Sequence, residues 1–267
     1  MGTTFPRTCG GRITKGDDSQ EIQREISKGL SESIGEVGFA LAGSGAIREH
    51  GLIDRATEDV DMFTTASQQT NFGLAVNEGV SKLERLGFAV SVNMKTEAFA
   101  RLDAEKDGKS TKVELGVDYR EKDPVWIDDA GYVLDEEDAV ANKICALFSR
   151  SEARDYLDAL SIKRSGRFTD EYLWEIAANH DPGFSSRLFR DALAGMDSRP
   201  DSDFLPYISA DELAEDRQEA ARWCEDITAR LNERDFMAEL EEIDSLTIRR
   251  HQPREPKGTP HGGRWRR

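Results

Sequence analysis

Cysteine is scarce in this chain: three among 267 residues, Cys9, Cys145 and Cys224, odd in number and never in a C-x-x-C pair. That excludes a disulfide framework and offers no zinc-ligand spacing. The four histidines, His50, His180, His251 and His261, are equally scattered and suggest no metal set. No apolar run approaches the ~20 residues of a membrane span, and the opening MGTTFPRTCGGRITKG lacks the apolar centre of a signal peptide. The expectation is a protein that neither enters a membrane nor is secreted and works in a reducing cytoplasm. Net positive charge is missing as well: 52 acidic against 36 basic residues give −16, a field that repels nucleic-acid backbone.

The average conceals a segregation. From Thr247 to the end there are seven Lys/Arg and one acid, so this tail carries +6 and the remaining residues −22. Rich in Pro and Gly, residues 247–267 read as a basic disordered tail, suited to RNA contact or to docking. Residues 1–17 read as a flexible lead. Hydrophobic periodicity divides the rest into an α/β domain over 18–125 and a helical domain over 126–246.

In the first part, Ile22, Ile26, Leu30 and Ile34 recur at helical spacing and predict a helix over 18–35. The apolar run 37–42 reads as a buried strand, followed by a short helix at 46–50, a strand at 60–64 and a helix over 68–86. Extended segments follow near 88–95, 97–103 and 111–119; Val113 and Leu115 share one face, Lys112 and Glu114 the other. Consecutive late strands predict a mixed sheet with flanking helices. A hairpin is expected at 126–134. Helices are then expected at 136–148, 152–163, 170–179, 185–194, 210–231 and 234–246. The segment from Asp211 to Asp244, with thirteen acids and four arginines, reads as a solvated helix face.

The chemistry concentrates between Phe39 and Phe63. A strand ends in Gly43-Ser44 and turns into a helix, where exposed backbone N–H groups can receive a phosphate. Sixteen residues later, Asp59-Val-Asp-Met-Phe begins a strand, whose two-residue period sets Asp59 and Asp61 on one face. Two such carboxylates suit hard divalent cations, which can clamp the oxygens of a phosphoryl displacement.

A strand, Gly-Ser, a short helix and then alternating acidic and hydrophobic residues together resemble the nucleotidyltransferase superfamily. More closely, Gly43-Ser44-Gly45-Ala46-Ile47, Arg55 and Glu58 to Phe63 resemble the opening block of the AbiEii/AbiGii toxin family of nucleotidyltransferases. A second block, with Lys143, Ala146, Arg150, Arg154-Asp155 and Asp158, is similar to that family's later motif. The chain departs from the family pattern at Gly45, where threonine is usual. The resemblance spans about residues 20–165.

The resemblance implies a nucleotidyltransferase-type mixed sheet with a C-terminal helical domain and an active site between the two. Gly43 and Ser44 would hold the phosphates of an NTP, with Lys143 and Arg150 contributing positive charge. Asp59 and Asp61 would bind one or two Mg²⁺ ions, and Glu114 would complete the metal site or act as base, Asp118 being the alternative on the same strand face. Asp155 would position the acceptor or the lysine. The implied activity is transfer of a nucleoside monophosphate from an NTP to a hydroxyl, for which an RNA acceptor, the tRNA 3′ end, is expected. A cognate antitoxin and a role in phage defence are implied with it. A small-molecule acceptor of the aminoglycoside type, a protein acceptor and a nucleotide-binding module without turnover remain the alternatives.

Overall fold

The computed structural model describes residues 15–251 apart from Ala56 and Glu58. Cys9, Glu58, His261 and most of the lead and the basic tail therefore lie outside the described residues.

Helix α1 (Lys15–Ile34) starts three residues before the expected position 18. Ile26, Leu30 and Ile34 are buried, as the stripe predicts. The chain then turns through Gly38, whose φ of 79° only glycine adopts readily. This turn shortens the expected strand to β1 (Ala40–Leu41). Next come α2 (Gly43–Glu49), β2 (Asp59–Thr64) and α3 (Phe72–Arg85).

Strand β3 (Ala89–Lys95), β4 (Phe99–Lys106) and β5 (Lys109–Val117) form a meander. The turn joining β4 to β5 is Asp107-Gly108, with φ of 54° and 73°. An Asp-Gly pair between two strands is a two-residue hairpin signal, and it fixes the register from Lys106↔Lys109 to Phe99↔Gly116. The expected hairpin at 126–134 is β6 (Val125–Ile127) with β7 (Gly131–Val133).

All seven strands join one mixed sheet in the order β3-β4-β5-β2-β1-β7-β6. β2 runs parallel to β5 and β1 parallel to β7, while the other pairs are antiparallel. The β6–β7 hairpin thus belongs to the sheet although it follows residue 125. Helices α1 and α3 cover one face, over Val60, Met62, Leu102, Val113 and Leu115, all buried. Over β3, β4 and β5 the other face carries polar residues.

The remaining chain is helical: α4 (Glu136–Ser149), α5 (Ala153–Arg164), α6 (Asp170–His180), α7 (Ser186–Ala194) and α8 (Ala210–His251). Two helices were expected where α8 is one. Neither Gly nor Pro interrupts it after Ala210, and Asn232-Glu233 does not stop a helix. For the same reason α8 continues into the first five residues of the basic segment 247–267. Among the described residues no helix is long and apolar enough to cross a membrane.

Leu30 is fully buried where α1 meets α3. Leu30→Ala should therefore cost about 2–5 kcal/mol, read as a lowered urea midpoint. Val92→Ser, at a half-exposed edge-strand position, should move the midpoint by less than about 0.5 kcal/mol.

Candidate active site

The parallel pairing of β2 with β5 aligns Asp59 with Lys112, Asp61 with Glu114 and Phe63 with Gly116. The antiparallel pairing of β5 with β4 adds Asp103, Arg101 and Phe99 to the same three rows. The face away from α1 and α3 is therefore written in rows: a charged row, a carboxylate row and an aromatic row. The two-residue period of a strand and its partner's register are enough to build it.

Gly43 abuts the carboxylate row. Its φ is 58°, and a Cβ placed on it would lie 2.0 Å from Asp61 Oδ2. Only glycine leaves room for that carboxylate against the phosphate loop. Burial pushes the Asp61 carboxyl up to about 6; Lys143 opposes the shift, while Glu114 and Asp59 add to it. Asp59 lies 3.5 Å from Lys112 and 3.7 Å from Arg154, and Glu114 accepts a 2.9 Å hydrogen bond from Arg101 Nε.

Ser44 is the other half of the loop. Its Oγ accepts from Lys143 Nζ and from Arg55 Nη2, each at 2.8 Å, and donates to Asp158 Oδ2 at 3.1 Å. Asp158 also accepts from Arg55 through both its oxygens and pairs with Lys143 at 3.0 Å. Burial alone would raise this fully enclosed carboxyl, but Lys143 and Arg55 outweigh it and hold it below the usual carboxylate range.

Asp155 stands elsewhere. Its carboxylate accepts two hydrogen bonds from Arg150, at 2.9 and 2.8 Å, and one from the Glu152 backbone N–H, closing the capping box of α5. It does not line the cavity. The residue that touches Lys143 is Asp158, one turn further along α5, and not Asp155, the residue expected to position the lysine. Arg55, on a loop with no periodicity, had only its place in the motif to signal it.

Between the carboxylate face and α4 lies an open cavity of about 650 Å³. Gly43, Ser44, Asp59, Asp61, Glu114, Asp118, Lys143 and Arg150 all line it. Its lining also includes Phe63, Arg101, Lys112, Tyr119, Asn142 and Arg154. Despite the acidic body, five Lys/Arg here stand against six Asp/Glu. Cys145 is half-buried at the wall. His50 Nε2 donates to the Leu134 carbonyl, 2.7 Å away. An added Cβ at Gly45 would meet Leu41 Cδ1 at 2.9 Å, so that position faces the core.

Among the described residues no three ligand-type side chains already form a metal cluster. The donor set nevertheless suits a divalent cation: three carboxylates in adjacent register, one with its pKa raised to about 6 by burial and like charge.

Residues 26–244 match the family described as nucleotidyl transferase AbiEii toxin, type IV TA system. The chain belongs to this family. It is thereby a nucleotidyltransferase of the toxin–antitoxin type, an enzyme family that uses an NTP and a divalent metal and implies a cognate antitoxin. The fold is shared with JHP933 from Helicobacter pylori, 18% identical over 86% of this chain and 100% of that one, TM-score 0.54. It is also shared with MenT4, a nucleotidyltransferase toxin of Mycobacterium tuberculosis H37Rv, 12% identical over 80% of this chain and 86% of that one, TM-score 0.53. No match is found among curated proteins.

Beside the cavity, His180 Nδ1 faces the Ile176 carbonyl at 2.9 Å and Nε2 faces Asp138 Oδ1 at 2.9 Å. With an acceptor atom beside each ring nitrogen, the surroundings favour the charged form of the ring. Burial opposes that charge, but the Asp138 carboxylate and the Ile176 carbonyl prevail and raise the pKa. A raised histidine contributes stability in full below its unfolded value and loses it as pH rises through the folded one. The stability difference between the parent protein and His180→Gln should therefore be full below about pH 6.5 and shrink as pH rises further, measured by urea unfolding. Gly43→Ala should displace Asp61 and lower transfer about a hundredfold, measured as label incorporation at saturating NTP.

Proposed function

We propose that this enzyme is an Mg²⁺-dependent toxin that transfers a nucleoside monophosphate from an NTP to a hydroxyl of RNA, at the 3′ end of tRNA. The observation that carries this reading is the Asp61–Glu114 register beside Gly43 and Ser44, which sets carboxylates against a phosphate loop at one end of a cavity.

Gly43 lets the triphosphate approach by its backbone, and Ser44 offers its hydroxyl. Lys143 is held against Ser44 by Asp158, so its ammonium already faces the phosphates. Arg154, 3.7 Å from Asp59, adds charge on the same side. Asp59 and Asp61 would hold Mg²⁺, which would neutralise charge developing on the transferred phosphoryl group. With Asp61 committed in this way, Glu114 is the carboxylate placed to accept the proton of the incoming hydroxyl once Arg101 releases it. The remaining work is positioning, the dominant part of phosphoryl transfer. Arg150 is fixed on Asp155 and presents its exposed guanidinium edge to the cavity.

Support for an RNA acceptor comes from Arg101, Lys112, Arg150 and Arg154 around the opening and from the +6 segment 247–267. Modification of the cell's own tRNA fits a cytoplasmic protein that acts in phage defence under the control of its antitoxin.

Incubation with each α-³²P-labelled NTP, Mg²⁺ and total bacterial RNA should label a tRNA-sized band. Asp61→Ala should lower the signal roughly a thousandfold, about 4 kcal/mol of transition-state stabilisation. Its melting temperature should hold or rise, because a buried carboxylate among like charges is removed. Label on protein alone, or on no macromolecule, would sink the RNA acceptor; full activity in Asp61→Ala would sink the metal assignment.

A further inference from the structure

The cavity has two chemically different ends. One is Ser44, Lys143 and the Asp59 row, already held by hydrogen bonds to Asp158 and Arg55. The other lies against α6. There the Tyr119 ring meets His180 edge-on at 5.2 Å and 83°, and Cys145 Sγ sits 3.5 Å from the Ala177 carbonyl. The aromatic row continues into this end. Phe63 faces Gly116, where a Cβ would come within 3.0 Å of the phenyl ring, and the Asp118 backbone N–H donates to Thr64, placing Tyr119 just past Phe63.

We propose that this end binds the base of the incoming nucleotide, with Tyr119 as its stacking surface and Asn142 as the residue that reads its edge. The inference rests on the nucleotidyltransferase reading of the site and extends it to the choice of NTP. Three observations converge. Tyr119 is a large aromatic left 51% exposed inside a cavity, where burial against another ring would be gained on binding. Asn142 lines the same cavity from α4, next to Lys143, and among the described residues its side-chain amide has no hydrogen-bond partner. One acceptor and two donors on a planar group match the Watson–Crick edge of a base. Finally, Asp118 and Asp181 line this end. Their carboxylates repel phosphate, whether of the NTP or of an RNA backbone, and leave room for an uncharged ring.

The spacing agrees. Successive rows on a strand face are about 7 Å apart, so the aromatic row stands one step from Asp61 and two from Asp59. A nucleotide with its phosphates at Ser44 and Lys143 then lays its base on Phe63 and Tyr119. α4 covers it from above, Lys143 over the phosphates and Asn142 over the base.

The test is calorimetric titration of each of the four NTPs into the full chain, alongside steady-state kinetics. Tyr119→Ala should weaken binding of every NTP about tenfold, because stacking is tolerant of sequence, and Tyr119→Phe should restore it. Asn142→Ala should bring the preferred NTP down to the level of the others, a loss of about tenfold to a hundredfold for that nucleotide alone. Asn142→Asp should change which NTP ranks first. An unchanged ranking in Asn142→Ala with an unchanged melting temperature would overturn the assignment. So would Tyr119→Ala raising KM only for the acceptor. Calorimetry reads the nucleotide alone, so NTP binding without label transfer to RNA would sink the acceptor reading and leave this one standing.

Discussion

One carboxylate joins the two halves of the molecule. Asp158, fully enclosed on α5, accepts from Arg55 on the loop before β2, from Lys143 on α4 and from Ser44 at the start of α2. Enclosing a charge costs several kcal/mol, and it persists only when its partners are arranged around it. Here two cations and a hydroxyl are arranged so, and the arrangement has a direction. Two of its three partners, Ser44 and Lys143, line the cavity, and the third, Arg55, donates to Ser44. Removing the carboxylate would leave Arg55 and Lys143 facing each other across Ser44 without a counter-charge. The interaction that locks the α/β sheet to the helices is thus the one that aims the lysine.

Next to this satisfied charge lies an unsatisfied one. Asp61 is crowded by Gly43, buried, and paired in register with another carboxylate, and its pKa rises to about 6. A protein selected for stability alone would place a neutral residue there. Local rules are broken at this point while the surrounding rows obey them, and such violations mark functional positions. The contrast is instructive because both aspartates are deeply placed. Asp158 has cations at hydrogen-bond distance and is held below the usual carboxylate range; Asp61 has Glu114 and Asp59 as like charges, and Lys143 only partly offsets its burial.

Much of this was legible in the sequence because it depends on period two and on short motifs. The alternation of Asp59-Val-Asp-Met fixes a face, and Lys112-Val-Glu-Leu fixes another. The register that places Asp61 opposite Glu114 is a long-range property of the β2–β5 pairing; the Asp107-Gly108 turn, a signal the sequence does contain, sets only the β4–β5 register that brings Arg101 beside Glu114. The roles of Asp155 and Asp158 could not be told apart, since residues three apart share a helix side and only packing decides which one meets α4. The single α8 was obscured by its acidic surface, where charge pattern says little about whether a helix continues.

The overall charge poses a question that the site answers locally. A body near −22 repels RNA at long range, yet screening over about 8–10 Å confines that field at physiological salt. Inside the cavity the balance is five Lys/Arg against six acids, and several of those acids are the carboxylates a divalent cation would neutralise. Loading the site therefore turns a nearly neutral cleft positive on the phosphate side while Asp118 and Asp181 keep the far end negative. The gradient points a nucleotide one way round. Because the field of the body is screened over that distance, an acceptor must come close before it feels the charges of the cleft.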